Sequence, residues 1–190
     1  MGDHPTEVRK IMEPLKSTIF AAGLVLIGCG NSTGQTQLPS TDQMNQYDHS
    51  TNPYYSHTDT AKLVVPLTEW KKLLPEDLYY IAYEKGTERA FTGKYWDFDG
   101  LGTYACAVCG NRLFQADAKF ASSCGWPSFF KAERDNAIEY HADRTFGMER
   151  TEVTCGRCGA HLGHLFDDGP PPTGKRYCIN SVSLEFLGTK

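Results

Sequence analysis

The chain has 190 residues, a formal net charge of −4 and 40% hydrophobic residues. That length suits one domain with a proper core plus an additional segment, and the absence of a basic excess argues against a nucleic-acid partner. Seven cysteines, at positions 29, 106, 109, 124, 155, 158 and 178, are many for this length, and an odd number cannot all pair.

The first residues, MGDHPTEVRKIMEPLK, are charged, and the short apolar run STIFAAGLVLIG follows them. This is the layout of a secretory signal, too short for a comfortable membrane span. The run ends in Leu26-Ile27-Gly28-Cys29, which resembles the lipobox of bacterial lipoproteins. That resemblance implies cleavage after residue 28, a lipid on Cys29 and a membrane-anchored protein on the periplasmic side. Gly30 is not the aspartate of inner-membrane retention, so outer-membrane sorting is the default. Asp3, Glu7 and Glu13 depart from the lipoprotein pattern. Two other readings stand beside it: Cys29 as a buried thiol ending an uncleaved anchor helix, and a loose myristoylation match at Met1-Gly2 and Thr6. A cytoplasmic location is the alternative.

Residues 29–60 are rich in Ser, Thr, Asn, Gln and Asp and nearly lack aliphatics. Such a stretch cannot bury enough apolar surface to offset its ordering entropy, so it is expected to be a flexible tether. The folded domain is expected over 61–190. VPLTEWKKLLPEDLYYIAYEKG predicts two short helices. Thr68 caps the first, with Lys71 and Lys72 on its wet face and Trp70, Leu73 and Leu74 facing in. Pro75 opens the second and Gly86 ends it. After that the periodicity shortens to two: GTYACAVC, AIEYHAD, MERTEVTC and KRYCINSVSLEF all read as strands. The pattern predicts a mainly β domain with a small helical N-terminal cap.

Cys106-Ala-Val-Cys109-Gly and Cys155-Gly-Arg-Cys158-Gly are matched knuckles. Each turn puts two sulfurs on one side, with Gly110 and Gly159 where a permissive backbone is needed. Together they supply the four thiolates of a closed, structural zinc site that staples distant strands. Iron suits the same four-sulfur set. A redox C-x-x-C should open a helix in a βαβ pattern, which is missing here, while disulfides gain weight in an oxidising compartment.

Two thiols remain. Cys124 lies in SSCGWPSFF, and Cys178 in RYCINS, between Arg176 and Asn180. A lone cysteine of this kind is either a small buried hydrophobe or a nucleophile whose thiolate the neighbouring positive charge favours. His161 and His164, three apart and followed by Asp168, read by themselves as core or turn residues.

KGTERAFTGKYWD, YACAVCGNRLF, CGWPSF, CGRCGAHLGHLFDDG and RYCINSVSL occur in that order. The set resembles the B-type methionine-R-sulfoxide reductase family, from about Leu67 to Phe186. The expected fold is then mainly β, with two small antiparallel sheets forming a zinc-stapled, sandwich- or barrel-like domain behind short N-terminal helices. The resemblance implies Cys178 as nucleophile and Cys124 as the resolving cysteine, with thioredoxin or an extracytoplasmic thiol relay as reductant and oxidised proteins as substrate. Arg176 and Asn180, two residues either side of Cys178, share its strand face. Arg176 would favour the thiolate and Asn180 would orient groups through its amide. His164 is the expected acid for the sulfoxide oxygen, assisted by His161. Asp168 would steer a histidine tautomer or the oxygen. Trp126 would receive the S-methyl group, with Phe166 completing that wall. A monomer is expected. Two competing functions are a zinc-stapled binding module without catalysis and a general disulfide oxidoreductase using Cys124 and Cys178.

Overall fold

The structure, a computed structural model, describes residues 47–189; the signal segment, Cys29 and the first part of the tether lie outside the described residues. Two short helices come first, α1 (Leu67–Leu73) and α2 (Glu76–Glu84). Each follows a proline, Pro66 and Pro75, at a position where a missing N–H costs nothing. Thr68 therefore lies inside α1 and does not cap it. Trp70 and Leu74 are buried, as the helical spacing predicts. At the end of α2 the left-handed position falls on Lys85 (φ 56°), one residue before Gly86, whose N–H closes onto the Tyr80 carbonyl.

Nine strands follow: β1 (Gly102–Cys106), β2 (Arg112–Gln115), β3 (Lys119–Phe120), β4 (Ser128–Phe129), β5 (Ile138–Asp143), β6 (Arg150–Cys155), β7 (His161–Phe166), β8 (Arg176–Ile179) and β9 (Leu184–Gly188). They form two sheets, ordered β2-β1-β9 and β3-β4-β8-β7-β6-β5. Every neighbouring pair is antiparallel. The expected mainly β domain with two antiparallel sheets is what the chain forms.

KRYCINSVSLEF, expected as one strand, is divided. A 3-10 turn at Ser181–Ser183 separates β8 in the large sheet from β9 in the small one. The break is held from outside the segment. The Glu88 carboxylate accepts the Ser181 and Val182 N–H groups at 2.6 and 3.1 Å, and the Ser183 hydroxyl donates to the His161 carbonyl at 3.1 Å. The sheets meet through aromatic rings: Phe114 stacks on Phe129 at 4.3 Å, and Tyr104 meets Phe129 edge-on at 5.0 Å and Phe186 at 5.2 Å. Phe114, Phe129 and Tyr104 are fully buried.

The tether was expected to run to residue 60 and the domain to begin at 61. Residues 47–60 instead pack on the domain. Asn52 is buried, and its amide donates to the Val108 carbonyl at 2.8 Å. The Ser56 N–H donates to the Cys109 carbonyl at 2.9 Å. Arg157, also buried, donates to the Tyr54 carbonyl at 2.6 Å and the Asp59 carboxylate at 2.7 Å. Polar composition misled here because the Asn52 and Asp59 side chains and the segment's own backbone pair with groups of residues 108, 109 and 157 rather than with water. Among the described residues no helix is long and apolar enough to cross a membrane.

Candidate active site

The cysteine knuckles assemble first. The four Sγ atoms of Cys106, Cys109, Cys155 and Cys158 lie within 4.8 Å of one another. Cys106 and Cys158 are 3.8 Å apart, and Cys109 and Cys155 3.7 Å. Tetrahedral zinc with bonds of about 2.3 Å requires sulfur–sulfur edges of about 3.8 Å, so the residues present fit the metal. Burial pushes the Cys106 and Cys158 thiols up, and a divalent cation is what lets four buried sulfurs ionise together. Gly110 and Gly159 take positive φ, 76° and 73°. Their N–H groups donate to the Cys106 and Cys155 carbonyls, both at 2.8 Å, rather than to the sulfurs. The Asn111 amide, buried, approaches the Cys155 sulfur at 3.4 Å. Cys106 ends β1 and Cys155 ends β6, so a structural zinc here ties the small sheet to the large one.

The second cluster centres on β8. Cys178 pairs with His164 on β7 and with Ser128 on β4. Its Sγ lies 3.4 Å from that of Cys124, which sits in the loop before β4, and both cysteines are free thiols. Burial, followed by the nearby Cys124, pushes the Cys178 thiol up to about 12; Arg176 opposes this and does not prevail. Burial also acts to raise the Cys124 thiol, but hydrogen bonds from Ser122, Ser128 and the Trp126 backbone outweigh it and bring it down to about 7. In the free protein the pair therefore holds its negative charge on Cys124.

A cleft of about 140 Å³ opens beside Cys178, lined by Thr87, Trp126, Arg150, Gly163, His164, Phe166 and Asn180. The expected residues Cys178, His164, Trp126, Phe166 and Asn180 thus come together. The Trp126 indole N–H donates to the Glu88 carbonyl at 3.3 Å, which holds the ring as one wall. Asn180 is buried and occupied: its amide donates to the Leu162 carbonyl at 3.1 Å and accepts the Glu88 N–H at 3.2 Å. Four expected residues do not line this cleft: Cys124, whose sulfur lies 3.4 Å from that of Cys178, together with Arg176, Asp168 and His161. Arg176 makes a two-pronged ion pair with Asp168 at 2.8 and 2.9 Å, and its guanidinium covers the Phe166 ring at 4.4 Å. His161 lies deeper, 3% exposed, with Nδ1 on the Glu152 carboxylate at 2.8 Å. Burial lowers its pKa, against the pull of Glu152.

On a regular strand residues three apart face opposite ways. The β6–β7 register instead shifts between Val153 and Thr154, pairing Val153 with Gly163 but Thr154 with His161. This bulge leaves one extra residue on β7 and turns both histidines to one face, where their rings lie 5.4 Å apart. Gly163 sits at the bulge, and a Cβ there would collide with the Cys178 carbonyl. His164 Nε2 then meets Asp143 Oδ2 at 2.8 Å. Asp143, Glu152, Glu88, Ser128, Thr87 and Arg150 were not singled out from sequence. The glycine between the two histidines was the visible sign of the bulge.

A metal-stapled β domain with two free thiols side by side, and a histidine–carboxylate pair beside one of them, defines a thiol-dependent redox enzyme. The chain matches the SelR domain over residues 74–188. It is 56% identical over 118 residues to a protein of Thiobacillus denitrificans named peptide methionine sulfoxide reductase MsrB, covering 62% of this chain and 89% of that one. Proteins of the same name from Acinetobacter baumannii and Herminiimonas arsenicoxydans are 55% and 49% identical, with 84% and 95% of their lengths covered. In those alignments 62% and 68% of this chain is spanned. The chain belongs to the SelR-domain family of MsrB-type reductases.

Proposed function

We propose that this chain reduces the R diastereomer of methionine sulfoxide, chiefly within oxidised proteins, with Cys178 as nucleophile and Cys124 as resolving thiol. The observation that carries the reading is the 3.4 Å separation of the two sulfurs beside a cleft that also holds His164 and Trp126. As a member of its family the protein is a thiol-dependent methionine-R-sulfoxide reductase. The Trp126 and Phe166 rings suit an S-methyl group, since a sulfide or sulfoxide methyl packs well on an aromatic face.

In the first step the Cys178 thiol gives its proton to the adjacent Cys124 thiolate as its sulfur attacks the sulfoxide sulfur. The oxygen then passes to the Cys178 sulfur as the transient sulfur–sulfur bond breaks, the thioether leaves as methionine, and protonated His164 supplies the proton that ends on the oxygen. Thiol, Cys124 thiolate, imidazolium and sulfoxide give sulfenic acid, Cys124 thiol, neutral imidazole and thioether, with atoms, charge and electrons balanced. In the second step the Cys124 sulfur attacks the sulfenic sulfur, water leaves and a Cys124–Cys178 disulfide forms. A dithiol such as thioredoxin then reduces that disulfide. Zinc would be held by Cys106, Cys109, Cys155 and Cys158, and four thiolate ligands would give it a structural role only. Arg176, neutralised by Asp168, acts on this reading by covering Phe166 and by moderating the rise of the Cys178 pKa. Export, membrane anchoring and a lipid on Cys29 belong to the same reading and rest on the sequence of residues 1–29, and the monomeric state rests on the lack of a long amphipathic face in the sequence.

The test is turnover of the separate R and S diastereomers of N-acetyl-methionine sulfoxide by the full chain, with dithiothreitol as reductant. Consumption of R alone is expected. Consumption of neither by folded, zinc-loaded protein overturns the reading in favour of a binding module.

A further inference from the structure

One side chain outside the expected set meets the proton donor directly. Asp143 ends β5, two strands away from β7, and its Oδ2 lies 2.8 Å from His164 Nε2. The same carboxylate accepts the Thr145 N–H at 3.0 Å and its hydroxyl at 2.7 Å, and an Arg150 N–H at 2.6 Å. Arg150 lines the Cys178 cleft as well, and its partner across the β5–β6 ladder is Asp143 itself. Asp168, which a reading of the sequence offers for steering a histidine, is instead committed to Arg176.

We propose that Asp143 is the positioning residue for His164, fixing the ring's tautomer and orientation so that Nδ1 is the nitrogen presented to the sulfoxide oxygen. This rests on the reductase reading above. The argument is one of donors and acceptors. A carboxylate ringed by two Thr145 donors and a guanidinium is ionised and can only accept. The hydrogen bonds from Thr145, then that from His164, hold the Asp143 carboxyl well below the usual carboxylate range. Nε2 must then carry a hydrogen whether the ring is neutral or cationic. Asp143 on β5 occupies Nε2 across β6 and leaves Nδ1 as the ring nitrogen available in a residue that lines the cleft. In the transition state Nδ1–H passes its proton to the departing oxygen. Asp143 stays charged, keeps Nε2–H in place and balances the imidazolium before transfer. Arg150 holds the carboxylate in register with the ring, since both bond Oδ2.

The experiment has two readouts. In wild-type protein labelled with nitrogen-15, the His164 ring signals are assigned by their loss in His164→Gln. The neutral ring is expected to show Nε2 protonated and Nδ1 bare. A neutral ring protonated at Nδ1 overturns the proposal, whatever the activity. In kinetics, Asp143→Asn is expected to lower kcat for the R sulfoxide by about 10- to 100-fold, the usual loss for a partner that orients a functional histidine. KM should stay within about twofold, because Asp143 makes no contact with bound substrate on this account. Asp143→Glu, which restores the carboxylate, should recover part of the loss. Glu149→Gln, on the same loop with an 84% exposed side chain, is the control and should match wild type. Equal falls in Asp143→Asn and Glu149→Gln, or a kcat for Asp143→Asn equal to wild type, overturn the proposal. Failure of the wild-type enzyme to consume R sulfoxide would strike the reductase reading instead, and the ring tautomer would still be measurable.

Discussion

The Cys124 and Cys178 sulfurs lie 3.4 Å apart and titrate far from one another, at about 7 and about 12. Cys124 is held down by hydroxyl and backbone partners, while Cys178 is held up by burial and by the charge on Cys124 itself. Alkylation of the reduced, zinc-loaded free protein with iodoacetamide should therefore show one group titrating near pH 7. Peptide mapping should place the label on Cys124, because the thiolate is the reactive form. In Cys124→Ser two of the causes that raise Cys178 vanish, so the Cys178 pKa should fall below about 12. Labelling near pH 7 that maps to Cys178 in the wild type would contradict this assignment.

The two thiols also separate the catalytic steps. Cys178→Ser should abolish reduction of the R sulfoxide with any reductant, since no other described thiol lines the cleft. Cys124→Ser should retain turnover with dithiothreitol, which can reduce the sulfenic acid directly, and lose it with thioredoxin, which requires a disulfide. Measuring both variants with both reductants distinguishes a sulfoxide reductase from a general disulfide reductase. Full activity of Cys178→Ser would remove the mechanism.

The four zinc cysteines make the opposite prediction, one about folding. Cys106 and Cys155 end strands in different sheets, so metal release frees four buried sulfurs and unties the sheets together. One zinc per chain is expected by elemental analysis. Chelation under reducing conditions should remove the cooperative thermal transition, because metal binding free energy at such sites is folding free energy. Cys109→Ala should do the same. A sharp transition at an unchanged midpoint after complete zinc removal would show that the aromatic core suffices alone.

That core has its own test. Phe129 is fully buried and meets both Phe114 and Tyr104. Phe129→Ala should cost about 3–5 kcal/mol by lost burial and a residual cavity. Chemical denaturation of zinc-loaded protein measures it. A loss under about 1 kcal/mol would mean that the two sheets close over the gap.

Local features were legible in the sequence, and features set by register were not. The zinc knuckles declare themselves by their spacing, whereas Cys178, Cys124 and Trp126 stand out only through the ordered set of blocks that carries the family resemblance. Asp143 and Glu152 became neighbours of the histidines only through pairing across β5, β6 and β7. Glu88 bonds residues 92 to 94 positions away, a separation that no local window spans. The division of KRYCINSVSLEF left a trace that a strand-by-strand reading passes over. The apolar phase shifts at Asn180-Ser181, from Tyr177 and Ile179 to Val182, Leu184 and Phe186, while the bend there is held by Glu88 and by Ser183 bonding to the His161 carbonyl. Residues 47–60 looked like tether because composition measures what a segment can bury, not which distant carbonyls it can satisfy.

Gly163 joins the bulge to the chemistry. Its φ of 158° is extended, so the constraint is not mainly conformational. A Cβ would meet the backbone carbonyl of Cys178, which cannot swing aside as a side chain can. Gly163→Ala should therefore force β7 and β8 apart where His164 faces Cys178. Gly174→Ala is the comparison: its φ is 67° and nothing lies within 4 Å of its would-be Cβ. That variant should suffer only left-handed strain, about 1–2 kcal/mol, with turnover preserved. Gly163→Ala should lose more stability and about 100-fold in turnover, as expected when reacting groups shift by about 1 Å. Thermal midpoints and kcat for the two alanine variants, measured side by side, decide it. Equal midpoints and equal turnover would mean that the two strands yield at Gly163 without moving the sulfur from the ring.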